Sequence, residues 1–312
     1  MVEAGLVPTP PATSGGAAAG RPLRTASTVL AAEPARALPG AAGRGELEVH
    51  FQPEVELASG EVTGLEALLR WFRPGHGVLW PGDFMPLVDA LGLTREVGDH
   101  LLGMCATAAR RWVFEAPSGE GRVPLVRTVW VTVSARQVLE VDFAERLAAR
   151  VAGLPAGSVG LDLPTALLDG AGASAVPWMR TLRDAGVRLS LGGVGGPADA
   201  AVAAGLPIQV VTLARPLVRG IDTDARRAAV LRAVVGAAHA AGRSVRAGGV
   251  ESWAEVRVLV DAGVARAQGF LFGGPQRADR VGWLLAQASD GWRGSYLADT
   301  LELSGRPVAL PV

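Results

Sequence analysis

Leu47-Glu48-Val49-His50-Phe51-Gln52-Pro53-Glu54-Val55-Glu56-Leu57, then Ala58-Ser59-Gly60, then Val62 to Leu69 is the stretch that decides the architecture. Leu47, Val49 and Phe51 alternate with polar residues, the side-chain period of a strand with one buried face. Val55 and Leu57 carry that strand to a Gly-containing turn, and Val62 to Leu69 supplies a second strand. Two strands joined by so short a loop are antiparallel.

Downstream the chain alternates helix and strand. A helical pattern over about 83–115 precedes the β-branched run Val126 to Val133. Helix 136–153 leads to strand 159–163, helix 174–186 to strand 187–191, and a short helix near 197–205 to strand 208–213. The helix over 223–241 precedes strand 244–247. Helix 253–263 then leads to a last strand near 267–272 and a closing helix at about 278–287. Eight strands in residues 46–287 have the size and rhythm of an α/β fold of the (β/α)8 TIM-like barrel type, entered through an antiparallel first strand. A doubly wound open sheet is the alternative, but no dinucleotide fingerprint accompanies it. Residues 1–45, made largely of Ala, Gly, Pro, Ser and Thr with scattered Arg, read as a disordered leader. Residues 288–312 form a C-terminal tail.

The composition closes several chemistries. Among 312 residues there are 30 cations, all of them Arg, against 30 acids, with no Lys and no Asn anywhere. Walker phosphate loops, Schiff-base enzymes and kinase-type catalysis all need the missing ammonium. A net charge of zero offers no cationic field for nucleic acid. Cys105, alone and in an apolar-patterned stretch, reads as a small core residue of a reducing compartment. With no apolar run of about 18 residues and no signal peptide, a cytoplasmic protein without a membrane span is expected.

Barrel chemistry sits at the carboxyl ends of strands. Those positions hold Gln52 and Pro53; Glu66 followed by Arg70; Thr132 and Ser134; Asp162; Gly192 to Gly196; Thr212; Gly248 and Gly249 with Glu251 beyond; and Gln268. Glu66 and Asp162 are the two acids placed where a divalent ion would be held, fewer than a two-metal site needs. His50, His76, His100 and His239 lack ligand spacing and read as surface or capped imidazoles. The glycine runs bring bare backbone N–H groups to the mouth, where a phosphate cradle is one reading and loops free to drift to small residues the other.

On these residues the chain resembles the Glu-Ala-Leu (EAL) domain family of cyclic di-GMP phosphodiesterases. The resemblance runs through Phe51-Gln52-Pro53, Gly64-Leu65-Glu66-Ala67-Leu68-Leu69-Arg70-Trp71 and Pro81 to Asp89. It continues through Val131 to Gln137 and Ala247-Gly248-Gly249-Val250-Glu251-Ser252, and ends on Ala267 to Pro275. It implies a barrel with an antiparallel first strand and a metal centre of Mg²⁺ or Mn²⁺ that activates water on a phosphodiester. By the same resemblance most of that centre is replaced. Thr132 stands for an Asn, Asp162 and Thr165 for two Glu, and Gly192 and Gly193 for paired Asp. Thr212 stands for the Lys, Ala214 for its companion Asp, and Gly248 for a Glu.

What the resemblance leaves is a nucleotide pocket formed by Gln52, Glu66, Leu68, Arg70, Glu251 and Gln268, with Glu66 and Asp162 as remnants of the metal site. The expectation is a catalytically inactive regulatory module without a metal cofactor, binding cyclic di-GMP or a protein partner. The alternative is an active phosphodiesterase yielding the linear dinucleotide, using Glu66, Asp162 and Glu251 with Mg²⁺ or Mn²⁺. Family members often pair through the loop after strand five; here Gly192 to Pro197 is about one residue short, which leaves a homodimer open.

Overall fold

The structure, a computed structural model, describes residues 33–114, 126–167 and 175–287. Strands β1 (Leu47–Glu56) and β2 (Val62–Arg73) form the expected antiparallel hairpin, with Gln52 opposite Glu66. Gly60, at a positive φ of 71°, turns the connection, a backbone state that side chains disfavour. A short β3 (Gly77–Leu79) extends β2 and leads through Trp80 into helices α1 (Pro81–Ala90) and α2 (Thr94–Ala109). Gly92, also at positive φ, splits what periodicity alone reads as one helix.

Parallel strands follow: β4 (Thr128–Thr132), β5 (Val159–Pro164), β6 (Arg188–Val194), β7 (Val210–Leu213), β8 (Ser244–Ala247) and β9 (Arg266–Gln268). Between them run α3 (Ala135–Val138), α4 (Phe143–Val151), α5 (Ala175–Asp184), α6 (Pro197–Ala204), α7 (Arg215–Val218), α8 (Ala225–Ala240) and α9 (Trp253–Asp261). A two-residue β10 (Gln276–Arg277) pairs with β1 before α10 (Ala278–Gln287). The sheet closes on itself because β1 bonds to both β2 and β9, antiparallel to each. The other neighbouring pairs in the ring are parallel. This is the eight-stranded barrel expected, with β3 and β10 as additions too short to leave a period.

The strands sort their side chains by face. Val129, Val131, Leu161, Leu163, Leu189, Leu191, Val211 and Leu213 are buried on the outer face, in the same core as the helices. Alternate positions point inward, and here they are largely polar: Glu54, Asp162, Ser190 and Arg246 are all buried. A barrel of this type ordinarily fills its interior with branched apolar residues. Polar groups at that depth are tolerated only when they bond one another. The layering therefore foreshadows a built network at one end.

The folded unit begins upstream of residue 46, which corrects the expected leader boundary. Residues 33–37 form a helical turn, Leu38 and Ala41 are buried, Glu33 pairs with Arg73 at 2.7 Å, and Glu46 accepts from Trp71 Nε1 at 3.1 Å. Leu38 and Ala41 supply the apolar contact that a composition of small residues conceals. The rest of the expected leader, 1–32, and the tail, 288–312, lie outside the described residues. Trp71 packs edge-on against Phe84 of α1, and Cys105 is buried in the core, where burial pushes its thiol up. Among the described residues no helix is long and apolar enough to cross a membrane.

Candidate functional site

The carboxyl ends of the parallel strands surround a cavity of about 280 Å³, near the lower end of the size range of ligand pockets. Register brings its walls together: Thr132 lies opposite Asp162, Asp162 opposite Ser190, Gly192 opposite Thr212, and Thr212 opposite Arg246. Glu66 accepts from Thr132 Oγ1 at 3.1 Å and from Gln268 Nε2 at 2.5 Å. Gln268 Nε2 also donates to Gln52 Oε1 at 2.9 Å, and Gln52 donates in turn to the Gly273 carbonyl at 2.9 Å. Three of the residues read from sequence as pocket lining, Gln52, Glu66 and Gln268, thus form one chain of hydrogen bonds.

Asp162 heads a second cluster. Its Oδ1 accepts from Thr212 Oγ1 at 3.0 Å, and its Oδ2 lies 3.2 Å from Arg246 Nη2. Arg246 donates through Nε to Thr212 Oγ1 at 2.6 Å and through Nη1 to Glu54 Oε2 at 3.1 Å. Ser190 Oγ lies 2.7 Å from the same Thr212 hydroxyl. Thr212 therefore gives its one proton to Asp162 and accepts from Arg246 and Ser190, its full hydrogen-bonding capacity. The indole of Trp130 lies over the guanidinium, 4.2 Å from ring centroid to Cζ, and reaches the barrel interior because Gly160 beside it has no side chain. Burial pushes the Arg246 pKa down, but the charges of Asp162, Glu54 and Glu66 outweigh it and hold the group above its ordinary value.

Arg70 and Leu68 share the inward face of β2 with Glu66, further toward the rim. Arg70 is buried, bonded to the Leu69 carbonyl at 2.8 Å and capped by the Trp80 indole at 4.0 Å. Burial lowers its pKa and the Glu66 charge partly offsets that. Of the six residues read from sequence as the pocket, Glu66 and Gln268 border the cavity; Gln52, Leu68 and Arg70 do not, and neither does Glu251. Its side chain is half-exposed, 4.0 Å from Arg219, and its backbone N–H bonds to Glu255 in the cap of α9. The three-acid arrangement Glu66, Asp162 and Glu251 is therefore not assembled.

The glycine segments also differ from a phosphate cradle. The N–H groups of Gly195 and Gly196 are both taken by Asp199 Oδ2, at 2.9 and 3.2 Å, where they cap α6. Gly249, at a φ of 78°, lies against the stem of Arg215. Gly192 has a steric role: a Cβ there would lie 2.7 Å from Asp162 Oδ2. Its bareness makes room for the Asp162 carboxylate.

Sequence reasoning missed Arg246, Glu54, Trp130 and Arg215. The first two are opposite charges on strands otherwise read as buried, Ser244-Val245-Arg246-Ala247 and Pro53-Glu54-Val55, and that pairing was the available signal. Arg215 lines the cavity rim, exposed, with no ion-pair partner for its guanidinium among the described residues.

Mg²⁺ or Mn²⁺, implied by the resemblance, does not fit these residues. Octahedral oxygen coordination needs several free ligands. Here each of the four oxygens of Glu66 and Asp162 already accepts from or pairs with a side chain. Among the described residues no three His, Cys, Asp or Glu side chains are grouped to hold an ion. A buried guanidinium stands beside Asp162 instead.

A closed barrel with one reversed strand and a polar mouth built on Glu66 is the arrangement that the resemblance implies, and comparison with known proteins identifies the family. The EAL domain family model matches residues 35–275, and the chain belongs to that family. A protein from Azorhizobium caulinodans is 30% identical over 241 residues, covering 76% of this chain and 32% of its own length. The bifunctional diguanylate cyclase/cyclic di-GMP phosphodiesterase MucR of Pseudomonas aeruginosa is 29% identical over 243 residues, covering 76% and 34%. The structure of the PaMucR phosphodiesterase in complex with cyclic di-GMP superposes with a TM-score of 0.72 at 25% identity, covering 80% of this chain and 99% of that one. The chain spans about a third of the length of these curated relatives.

Proposed function

We propose that this EAL domain is a metal-independent receptor for cyclic di-GMP that signals to a protein partner, and that it does not hydrolyse the ligand. The observation that carries this reading is the state of the two remaining acids: Asp162 is committed to Arg246 and Thr212, and Glu66 to Thr132 and Gln268. Both acids are tied to other side chains, the Arg246 guanidinium sets a positive charge against Asp162 where an ion would have to sit, and the ammonium that the family uses in its centre is absent from the sequence.

Binding has other resources. The Arg215 guanidinium at the rim is unpaired among the described residues, and a guanidinium engages phosphate in a bidentate manner without a metal. Arg70, on the face that carries Glu66 and Leu68, is a second cation near the rim, buried beneath the Trp80 indole. The solved complex of PaMucR with cyclic di-GMP supports this ligand for a mouth of the same fold.

The experiment is incubation of the full chain with cyclic di-GMP and Mn²⁺, followed by chromatography of the nucleotide. Intact cyclic di-GMP is expected. Linear dinucleotide that disappears in Glu66→Ala would establish the phosphodiesterase instead.

A further inference from the structure

The metal-centred reading leaves Arg246 unexplained. It is one of the least exposed charged side chains described, and it sits in the barrel interior where apolar packing is the norm. Burying a guanidinium is unfavourable unless charges and hydrogen bonds compensate it, and the same holds for the carboxylates around it. All the compensation here is mutual. Nη1 meets Glu54 at 3.1 Å, Nη2 meets Asp162 at 3.2 Å, Nε meets Thr212 at 2.6 Å, and the Trp130 face covers the plane.

Two bare positions make the arrangement possible. A Cβ at Gly64 would lie 2.9 Å from Glu54 Oε1, and one at Gly192 would lie 2.7 Å from Asp162 Oδ2. Both carboxylates are thus given room to turn onto the same cation, one at each terminal nitrogen.

We propose that Arg246 is the resident cation of this barrel mouth: its guanidinium neutralises Glu54 and Asp162 in place of a divalent ion, so that the site is assembled without metal and has no use for one. Arg246 is a positioning residue. It fixes Asp162 and Thr212 as the floor of the cavity and leaves the Arg215 guanidinium at the rim for a ligand. The proposal bears on the metal-free half of the preceding reading, and its test uses no nucleotide, so either can fail alone.

The test is thermal unfolding of the full chain in EDTA and in about 10 mM Mn²⁺, where a bound ion raises the midpoint by mass action. Wild type is expected to show no shift. Arg246→Met removes the charge while filling much of the volume. It should unfold at lower temperature in EDTA and recover at least about 4 °C in Mn²⁺, because its carboxylates then lack a counter-charge. Arg246→Lys, which keeps the charge, should be indifferent to Mn²⁺; a packing role alone would make the Met and Lys variants behave alike.

A saturable Mn²⁺ shift in wild type overturns the proposal. So does an Arg246→Met protein that is folded and metal-indifferent. If Arg246→Met fails to fold, the triple variant with Glu54→Gln and Asp162→Asn decides. Recovery of folding without metal supports the proposal, and continued failure assigns Arg246 to packing and overturns it.

Discussion

Substituting Gly192 by Ala tests whether the glycine at the end of β6 is a consequence of how Asp162 is seated. A methyl group at 192 would lie 2.7 Å from Asp162 Oδ2, 2.8 Å from its Cγ and 3.0 Å from Oδ1. Real side chains do not approach so closely, so the carboxylate must leave its place. Leaving breaks the 3.2 Å pair with Arg246 and the 3.0 Å bond from Thr212. Separating one partner from a buried ion pair costs about 3–5 kcal/mol. Asp162 borders the cavity and can turn partly into it, so a loss at or just below the bottom of that range, about 2–3 kcal/mol, is expected. For a domain of this size that lowers the unfolding midpoint by about 5–10 °C.

The assay is a cycle of four proteins, wild type, Gly192→Ala, Asp162→Ala and the double variant, followed by urea and thermal unfolding. Once Asp162 is truncated the clash is gone. Gly192 is not at positive φ, so the same methyl then falls within about 1 kcal/mol of neutral. The two substitutions should therefore be coupled by about 2 kcal/mol, within the range found for residues in contact. Equal cost of Gly192→Ala in both backgrounds would refute the reasoning, as would a single variant as stable as wild type.

Gly160→Ala places a Cβ 2.3 Å from the Trp130 ring, which is enclosed in the barrel, and should cost about 1–3 kcal/mol in urea unfolding. In a Trp130→Leu background the same glycine substitution should cost much less; a Gly160→Ala protein of wild-type stability would show that the indole is not fixed there. Glu46 is held below the usual carboxylate range, first by its hydrogen bonds from Arg44 and then by that from Trp71. A depressed carboxyl contributes stability that is present above its unfolded pKa of about 4.3 and lost as pH falls through the folded value. Wild type should accordingly unfold above Glu46→Gln at pH 7, with the gap closing in acid below the ordinary carboxylate range. A gap independent of pH contradicts that origin.

How much was legible follows from the physics of each feature. The hairpin of β1 and β2 could be read because alternation and a glycine turn are local properties. Closure of the barrel followed from counting strands. The cluster at Arg246 is a property of register: Thr212 faces Arg246 across one ladder and Asp162 faces Ser190 across another. A single arginine in a four-residue strand gives no such information, and an inward-facing charge looks like an outward-facing one. Glu251 was misplaced for the reverse reason, since its motif is local while the cap formed with Glu255 turns it out of the cavity. Leu38 and Ala41 were hidden in a run of small residues whose burial depends on a barrel formed later in the chain.

The central claim is that this EAL domain binds cyclic di-GMP with its own cations and without a metal. The most direct measurement is calorimetric titration of the full chain with cyclic di-GMP, once in EDTA and once in Mn²⁺, with the nucleotide recovered afterwards. The account predicts saturable heat with the same Kd in both buffers and recovery of the cyclic ligand intact. Binding that requires Mn²⁺, or recovery of the linear dinucleotide, would contradict it.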